Sequence, residues 1–272
     1  MKTRIITGVV SAALFLTVLL LPWPIVLSAV TSLLTAVAVY ELFTVTGIAK
    51  HRGMESLSVV FALLAPFLTQ LPGRSAVVTL LMYVVLLAMM VVMYAKEVDP
   101  KRSAVVYALS TVVTLALSCM SYLRVLPQHG LFYVILSLLM AWMSDTGAYF
   151  VGTFLGKHKL CPKLSPKKTV EGLVGGIVIS VVISLIAGLI YQSAFLKTGA
   201  QISYGGLLLL ALVCAPLSVV GDLFASLIKR ICGAKDYGKI FPGHGGVMDR
   251  FDSLLFVFPV VYFVATTWPL IK

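Results

Sequence analysis

The sequence predicts an all-α integral membrane protein with about nine transmembrane helices. Hydrophobic residues fill 60% of the 272 positions and charged residues only 11%, whereas a soluble domain has about a quarter charged residues. The charges fall in short segments between long apolar runs, so the net charge of +11 does not indicate a nucleic-acid-binding domain. The lipid bilayer is therefore the first predicted partner, and no nucleic acid is expected.

Nine segments are long and apolar enough to cross a bilayer, which takes about 20 mostly apolar residues. They are approximately 5–21, 25–46, 55–71, 75–95, 103–122, 131–152, 172–192, 203–228 and 251–271. The first resembles a signal peptide because Lys2 and Arg4 precede it. A turn at Pro22-Trp23-Pro24 follows it instead of a small-residue cleavage site, so we expect a retained helix.

The distribution of Lys and Arg predicts the orientation of these spans. With the N-terminus in the cytoplasm, 17 of the 21 basic residues lie on the inner side. The outer side receives the other four: Arg74, Arg124, Lys197 and Lys272. Because cytoplasmic loops carry an excess of Lys and Arg, this bias predicts a cytoplasmic N-terminus and an outside C-terminus.

The chain is predicted to form one polytopic membrane domain, 1–272. Residues 1–125 supply scaffold helices, and residues 126–272 form a catalytic half that carries nearly all of the candidate chemistry. Its two long loops, 153–171 and 229–250, are both cytoplasmic in the predicted orientation. We therefore expect an active site that faces the cytoplasm.

Three carboxylates lie near the predicted cytoplasmic ends of three spans. Asp145 is in span six, Asp222 is in span eight, and Asp249 begins span nine. Ionisable groups inside a membrane are costly and are functional candidates by default. These three are therefore expected to converge at one depth beneath the two basic loops.

The segment 226–252 is the one stretch in which both signs of charge are dense, and five glycines interrupt it. Carboxylates hold hard cations such as Mg²⁺ through oxygen, and basic side chains neutralise phosphate. Glycine also lets backbone N–H groups approach an anion. The segment therefore predicts a metal–phosphate site, and on span eight Asp222, Ser226 and Lys229 or Arg230 share one helix face.

A second cluster precedes span seven. It contains Ser165, Lys168 and Thr169, just ahead of a predicted helix. Hydroxyl groups, an ammonium group and the N-terminal amides of a helix together favour the binding of phosphate.

Simpler interpretations remain open for the acidic residues. Asp249 and Asp252 are also placed to cap a helix N-terminus, where the helix dipole favours acids. Asp145 and Asp222 are also suited to structural pairing with lysines. A helix cap requires contacts with backbone N–H groups, whereas structural pairing requires a lysine close to the carboxylate.

Simpler interpretations also remain for three other groups. The basic loops satisfy the positive-inside bias without any further role. Glu41 is expected to pair with His51 or Arg52 rather than to act in catalysis. His244, between glycines, is equally consistent with an ordinary loop residue.

The pattern Ser-x-x-Lys-Arg, Lys-Asp and His-Gly-Gly-x-x-Asp-Arg-x-Asp resembles the signature of the phosphatidate cytidylyltransferases, also called CDP-diacylglycerol synthases. Its fixed positions are Ser226, Lys229, Arg230, Lys235, Asp236, His244, Gly245, Gly246, Asp249, Arg250 and Asp252. The earlier loop is similar to the family pattern Ser-Pro-x-Lys-Thr. Thr153 departs from the family, where a basic residue is expected. The resemblance covers about 145–252, and spans one to five match only in hydropathy.

The resemblance implies transfer of the cytidylyl group of CTP to phosphatidate by in-line attack on the α-phosphorus. It implies catalytic roles for Asp222, Asp249, Lys229, Arg230 and Lys168. It implies substrate-binding roles for Ser165, Thr169, Ser226, Lys235, Asp236, His244, Gly245, Gly246, Arg250, Asp252 and Asp145. It also implies Mg²⁺ held by Asp222 and Asp249, a second cation nearby, a homodimer, and location in the cell's inner membrane. The choice between CTP and dCTP and the acyl-chain preference stay open.

Three rival classes fit less well. A cation-coupled transporter is expected to place its acids near the midplane, on broken helices of two related halves, whereas these acids cluster at one surface of one half. A CDP-alcohol phosphotransferase is expected to carry an Asp-Gly-x-x-Ala-Arg motif, which the sequence lacks. A purely structural membrane protein has no need of the charged segment 226–252.

Overall fold

The computed structural model describes residues 2–48, 52–71, 75–196, 199–241, 243 and 245–271. His51, Arg74, Lys197, His244 and Lys272, which entered the predictions above, lie outside this set. The helices are α1 Lys2–Leu20, α2 Pro24–Thr46, α3 Arg52–Leu64, α4 Ser75–Met93, α5 Pro100–Arg124, α6 Gly130–Leu155, α7 Val170–Phe195, α8 Tyr204–Ile231, α9 Met248–Phe251 and α10 Leu254–Thr267. A 3-10 helix, Ala65–Gln70, continues α3.

Seven helical segments of the described chain are long and apolar enough to cross a membrane. They are Pro24–Thr46, Gly53–Gln70, Ser75–Met93, Pro100–Arg124, Gly130–Leu155, Val170–Phe195 and Tyr204–Ile231. Two shorter apolar helices, Gly8–Leu20 and Leu254–Thr267, occupy the places of the first and last predicted spans. The prediction of a helical membrane protein is confirmed. The count of nine spans and their orientation stay predictions.

A small antiparallel hairpin stands in the segment expected to be a loop between spans six and seven. Its strands are β1 Lys159–Cys161 and β2 Ser165–Thr169, with Lys159 opposite Thr169 and Cys161 opposite Ser165. The strands are too short for an alternating pattern to reveal them in the sequence. The fold is therefore mainly helical, with a two-stranded addition to the predicted all-α class.

The chain divides into two compact units. The first consists of Met1–Val125 with Ile231–Phe251, and the second of Leu126–Arg230 with Asp252–Lys272. Most of the predicted catalytic loop 229–250 thus belongs to the same unit as α1–α5. Each unit is described separately below.

In the first unit, buried hydroxyl groups satisfy the backbone where α3 gives way to the 3-10 helix. Pro66 has no N–H to continue a helical ladder. The Ser121 hydroxyl donates to the Pro66 carbonyl at 2.8 Å, and the Tyr122 hydroxyl donates to the Ala65 carbonyl at 2.6 Å. The hydroxyls of Ser28 and Ser121 are hydrogen-bonded to each other at 2.6 Å. Such side chains make an interrupted helix tolerable in hydrocarbon, where no water reaches the backbone.

Two arginines of α5 bind the C-terminal ends of neighbouring helices. Arg102 donates to the carbonyl of Thr46, at the end of α2, and Arg124 donates to the carbonyl of Leu21 at 2.9 Å, just beyond α1. The last carbonyls of a helix lack intrahelical partners and attract cations. Arg102 lies in one of the basic loops that the positive-inside bias alone was expected to explain, and it has a specific partner as well.

In the second unit, α6 and α7 pack closely through small residues. A Cβ atom at Gly176 would lie 2.6 Å from the Ser144 carbonyl oxygen, and one at Gly172 would lie 2.7 Å from the Ala148 carbonyl oxygen. The Ser180 hydroxyl donates across the helices to the Met140 carbonyl at 2.9 Å. Close approach through small residues is a usual way for membrane helices to associate. It fixes the segment of α6 that carries Asp145.

The same unit packs α8 against the turn that precedes α10. A Cβ atom at Gly221 would lie 2.5 Å from the Asp252 carbonyl oxygen, so only glycine permits this approach. Near the middle of α8, the hydroxyls of Ser144 and Ser218 both donate to the Ala215 carbonyl, at 3.2 Å and 2.8 Å. Gly221 therefore brings the residue that follows it, Asp222, close to the turn at Asp252.

Candidate functional site

The hairpin β1–β2 is anchored on the first turn of α7. Thr169 caps this helix, since its hydroxyl accepts the Gly172 N–H at 3.1 Å. The Glu171 carboxylate accepts the N–H of Lys157 at 3.1 Å and that of His158 at 3.2 Å. The His158 Nδ1 also lies 2.6 Å from Glu171 Oε1. These bonds hold the end of the hairpin where β1 begins and β2 ends, next to Lys168.

Lys168 of the hairpin forms an ion pair with Asp222 of α8. Its Nζ, which is buried, lies 2.6 Å from Asp222 Oδ2. On the other oxygen, Asp222 Oδ1 accepts the Ser226 hydroxyl at 3.3 Å. Asp222 and Ser226 thus share the helix face that their four-residue spacing predicts. The pair brings together two residues to which the family resemblance gives catalytic roles. It is also the kind of acid–lysine pairing that was considered for Asp222 as a structural alternative.

Asp145 joins this pair from α6. Its carboxylate is close enough for its charge to interact with those of Lys168 and Asp222, and it accepts a hydrogen bond from the side chain of Ser253. Ser253 is buried at the start of α10. Two of the three acids expected to converge, Asp145 and Asp222, therefore do so within the second unit.

Asp252 supplies the third carboxylate of this cluster. Its charge interacts with those of Asp222, Asp145 and Lys229. It also accepts the Ser253 N–H at 2.8 Å. We call Asp145, Lys168, Asp222, Lys229 and Asp252 the charge cluster. It holds three carboxylates and two ammonium groups, so its formal charge is negative unless a further cation joins it.

The donor chemistry of the charge cluster suits Mg²⁺. The ion prefers oxygen and is usually bound through one or two carboxylates together with substrate phosphates and water, rather than by an all-protein cage. Within the described residues, no group of three or more His, Cys, Asp or Glu side chains is arranged to hold a metal. Asp222, whose carboxylate is about one-third exposed, is the acid that the resemblance assigns to the ion in this unit.

Asp249, the other predicted metal ligand, binds the backbone of its own loop in the first unit. Its Oδ2 accepts the Tyr237 N–H at 2.8 Å and the Gly246 N–H at 2.9 Å. Gly245 adopts φ +85°, and a Cβ atom there would lie 2.7 Å from the same oxygen. The side chain thus acts as a fixed point for the glycine-rich loop, which is more than the helix cap considered from sequence.

Glu41 of α2 binds the next part of this loop. It is buried, and its two carboxylate oxygens accept the N–H of Val247 at 3.0 Å and that of Met248 at 2.9 Å. The partners predicted for it, His51 and the side chain of Arg52, lie outside the described part of the chain. The observed backbone partners assign Glu41 a definite task in the first unit.

The remaining predicted substrate-binding residues differ in exposure. Ser165 is half-buried on β2, and Gly246 is buried in the loop. The exposed charged side chains among the predicted substrate-binding residues are Lys235, Asp236 and Arg250, and Arg230, which was predicted to be catalytic, is also exposed. His244 lies outside the described residues, so its role stays a prediction.

Sequence reasoning considered Glu41 but expected other partners for it, and it assigned no role to Glu171 or Ser253. For Glu41 a signal existed, because an acid inside a span is a functional candidate by default, and the same rule led to Asp145 and Asp222. Glu171 sits in the first turn of α7, where acids are common for electrostatic reasons alone. Ser253 has no signal beyond its place after Asp252.

Apolar helices long enough to cross a bilayer, together with a charge cluster formed by two of them, the hairpin and the turn before α10, define a polytopic membrane protein with an ionisable site. Residues 2–268 match the model of the cytidylyltransferase family. The chain is 37% identical over 278 residues to a phosphatidate cytidylyltransferase of Bacillus subtilis (strain 168), covering 97% of each chain. It is 33% identical over 262 residues to one of Staphylococcus epidermidis, covering 96% of this chain and 97% of the relative.

The chain belongs to the cytidylyltransferase family. Its match runs through nearly the whole chain, including the first 125 residues, where the sequence analysis had only hydropathy. The resemblance drawn from 145–252, and with it the classification as an enzyme, is confirmed.

Proposed function

We propose that this chain transfers the cytidylyl group of CTP to phosphatidate and releases pyrophosphate. The observation that carries the proposal is 37% identity across 97% of both chains to a protein named phosphatidate cytidylyltransferase. The charge cluster supports it, because ammonium groups and carboxylates side by side suit a phosphate substrate bound with a cation.

In the proposed reaction, a phosphate oxygen of phosphatidate attacks the α-phosphorus of CTP. A new oxygen–phosphorus bond forms there while the bond to the bridging oxygen of the β-phosphate breaks. Pyrophosphate leaves and CDP-diacylglycerol remains. One polyanion attacks another, so the chief tasks are to hold the two in line and to neutralise their charge. No covalent enzyme intermediate is required.

Side chains of the second unit are suited to these tasks. The ammonium groups of Lys168 and Lys229 and the exposed guanidinium of Arg230 are assigned to the phosphate oxygens. The hydroxyls of Ser165 and Ser226 are assigned as hydrogen-bond donors beside them. The ion pair with Asp222 at 2.6 Å supports the assignment of Lys168, because it holds an otherwise flexible side chain in a defined place.

Mg²⁺ fits the oxygen donors of the charge cluster, and Asp222 is the residue that we assign to it there. When bound, the ion would supply charge neutralisation on the phosphate oxygens of the nucleotide. Asp145 and Asp252 stand beside Asp222 as further acidic oxygens. Asp249 as a second ligand, and a second cation, remain predictions.

For the membrane arrangement we propose nine spans with a cytoplasmic N-terminus, an outside C-terminus and a location in the cell's inner (plasma) membrane. The charge bias of the loops supports this orientation. CTP would then arrive from the cytoplasm, and the lipid would reach the site laterally from the bilayer. A homodimer is part of the proposal through the family resemblance.

The test is direct assay of the purified full-length protein. Labelled CTP, phosphatidate and Mg²⁺ should yield CDP-diacylglycerol and pyrophosphate in equal amounts. A parallel reaction with dCTP establishes the nucleotide preference, and diacylglycerol in place of phosphatidate serves as the control that lacks the attacking phosphate. Absence of product across several detergents and lipid compositions, from protein shown to be folded, would refute the proposal.

A further inference from the structure

Two carboxylates of the first unit hold the glycine-rich loop between α8 and α9. Asp249 Oδ2 accepts the N–H of Tyr237 and Gly246, and the oxygens of Glu41 accept the N–H of Val247 and Met248. Four backbone N–H groups of the loop are thus bound by side-chain carboxylates. We call Glu41, Asp249 and these four N–H groups the carboxylate latch.

The loop is shaped to fit Glu41. A Cβ atom at either Gly238 or Gly246 would overlap the Glu41 carboxylate. Glycine at these two positions therefore lets the chain wrap around an acid that comes from α2. The sequence suggested that these glycines bring N–H groups to a substrate anion, whereas the anion bound by Val247 and Met248 is a side chain of the protein itself.

Within the described residues, the hydrogen-bond partners of Glu41 in the loop are backbone N–H groups. Glu41 binds the two N–H groups immediately before Asp249 and Arg250, and Gly238 beside it follows Asp236 and Tyr237. A carboxylate that accepts two N–H groups at once fixes both the position and the direction of the peptide planes. Such precise support matters where side chains must meet a reacting group closely.

We infer that Glu41 is a positioning residue for the transfer reaction: through Val247 and Met248 it holds the loop that carries Asp236, Asp249 and Arg250. The inference rests on the proposed function, because its consequence for turnover presupposes cytidylyl transfer. Its consequence for the loop does not, because the contact exists whatever reaction the enzyme catalyses. The two can therefore be measured separately.

The first variant is Glu41→Gln, made in the full-length protein. It keeps the length of the side chain but replaces one acceptor oxygen with an NH₂ group, so one of the two N–H groups loses its partner. The matched control is Thr35→Val. Thr35 is also buried in α2, and its hydroxyl bonds within the helix to the Thr31 carbonyl at 2.7 Å. It has no assigned role in the site.

For Glu41→Gln we expect amide hydrogen exchange in the segment 237–250 to be at least about tenfold faster than in the wild type. We expect kcat/KM for CTP to fall about tenfold or more, while Thr35→Val leaves both near their wild-type values. The unfolding temperature of Glu41→Gln should not fall further than that of the control. Glu41→Asp keeps both oxygens on a shorter side chain and should recover part of the turnover.

Gly238→Ala tests the same contact from the loop and leaves α2 unchanged. It should accelerate exchange and lower turnover as Glu41→Gln does. Wild-type exchange and turnover in a folded Glu41→Gln would overturn the inference. If that variant does not fold, Gly238→Ala decides in the same way, and failure of both to fold would assign Glu41 to stability alone and also overturn it. A wild-type enzyme that forms no CDP-diacylglycerol would instead contradict the proposed function, while its exchange pattern still reports on the latch.

Discussion

Lys168 and Asp222 lie 2.6 Å apart at the centre of the charge cluster, although one belongs to a hairpin and the other to a membrane helix. The proposed ligands have the same charges as the two residues themselves: a phosphate would take the place of Asp222 beside Lys168, and a cation would take the place of Lys168 beside Asp222. The pair therefore keeps two oppositely charged groups in place at low electrostatic cost. If phosphate and Mg²⁺ bind together, they can replace the contact between Lys168 and Asp222, and each side chain still has a partner of opposite charge.

Asp222→Asn should lower kcat/KM at least about 100-fold, a loss of roughly 2.7 kcal/mol in transition-state stabilisation. The amide keeps the shape of the side chain but removes the charge that pairs with Lys168 and that a hard cation requires. Product formation in the CTP assay measures the effect. The control is Asp99→Asn, because Asp99 caps α5 by accepting the Lys101 N–H at 3.1 Å and Asn caps nearly as well as Asp.

The partner variant Lys168→Met shows whether the two residues act as a unit. If they do, the double variant Lys168→Met/Asp222→Asn should be little worse than either single variant, since groups that act together are non-additive. If the reduction of kcat/KM in the double variant equals the product of the two single reductions, the 2.6 Å contact does not contribute to activity. Near-wild-type turnover by Asp222→Asn would remove that residue from the site altogether.

Asp249→Asn distinguishes a ligand of Mg²⁺ from a residue that only holds the loop. A single oxygen, Oδ2, accepts both the Tyr237 and the Gly246 N–H groups, so the carbonyl oxygen of Asn can take its place. Asn keeps the shape of the side chain but not its charge. We expect a folded protein whose turnover falls at least about 100-fold. Normal turnover, with normal amide exchange in the loop, would leave Asp249 with its loop contacts only.

Removal of divalent cations with EDTA should abolish activity, and addition of Mg²⁺ should restore it, because oxygen donors and triphosphate favour a hard cation. A second readout does not depend on turnover. Mg²⁺ that binds the folded protein should raise its unfolding temperature progressively as the Mg²⁺ concentration increases, and Asp222→Asn should weaken this shift. Full activity in rigorously metal-free buffer would contradict the assignment of Mg²⁺.

The proposed topology predicts the sides from which the loops can be labelled. In a variant that lacks the four native cysteines, single cysteines placed near Lys163 and Lys239 should react with an impermeant thiol reagent only from the cytoplasmic side. One placed near Lys197 should react only from outside. Labelling of the first two from outside the cell would overturn both the orientation and the cytoplasmic location of the site.

Gly221→Ala should reduce both stability and activity. Its Cβ atom would lie 2.5 Å from the Asp252 carbonyl oxygen, so α8 would have to move away from the turn that holds Asp252. Overpacking of this kind costs about 1–3 kcal/mol. Gly205→Ala is the control in the same helix, because nothing lies within 4 Å of a Cβ atom there. Equal unfolding temperatures and equal rates for the two variants would contradict this account.

The sequence was sufficient where one physical constraint acts over many residues. A bilayer demands about 20 apolar residues for each crossing, so the long spans were predictable. Helical spacing likewise placed Asp222 and Ser226 on one face. The hairpin was not predictable, because strands of three and five residues show no reliable periodicity.

The carboxylate latch was not predictable for another reason. Glu41 and Met248 are 207 positions apart, and no local pattern in either segment specifies the other. The glycines of the loop were visible in the sequence and their need for a close neighbour was recognised. Their neighbour was expected to be a substrate phosphate, because nothing in the sequence of the loop indicates that a side chain of α2 binds there.

The arginines at the two ends of α5 have a consequence for the membrane itself. Arg102 and Arg124 are about 33 Å apart along the helix, at 1.5 Å per residue. Arg102 binds the last carbonyl of α2, and Arg124 binds the carbonyl just beyond α1. The hydrocarbon core of a typical bilayer is about 30 Å thick. The two contacts thus prevent α5 from tilting independently of α1 and α2. In a thinner or thicker membrane, either the first unit tilts as a whole or the surrounding lipid stretches or compresses to match it.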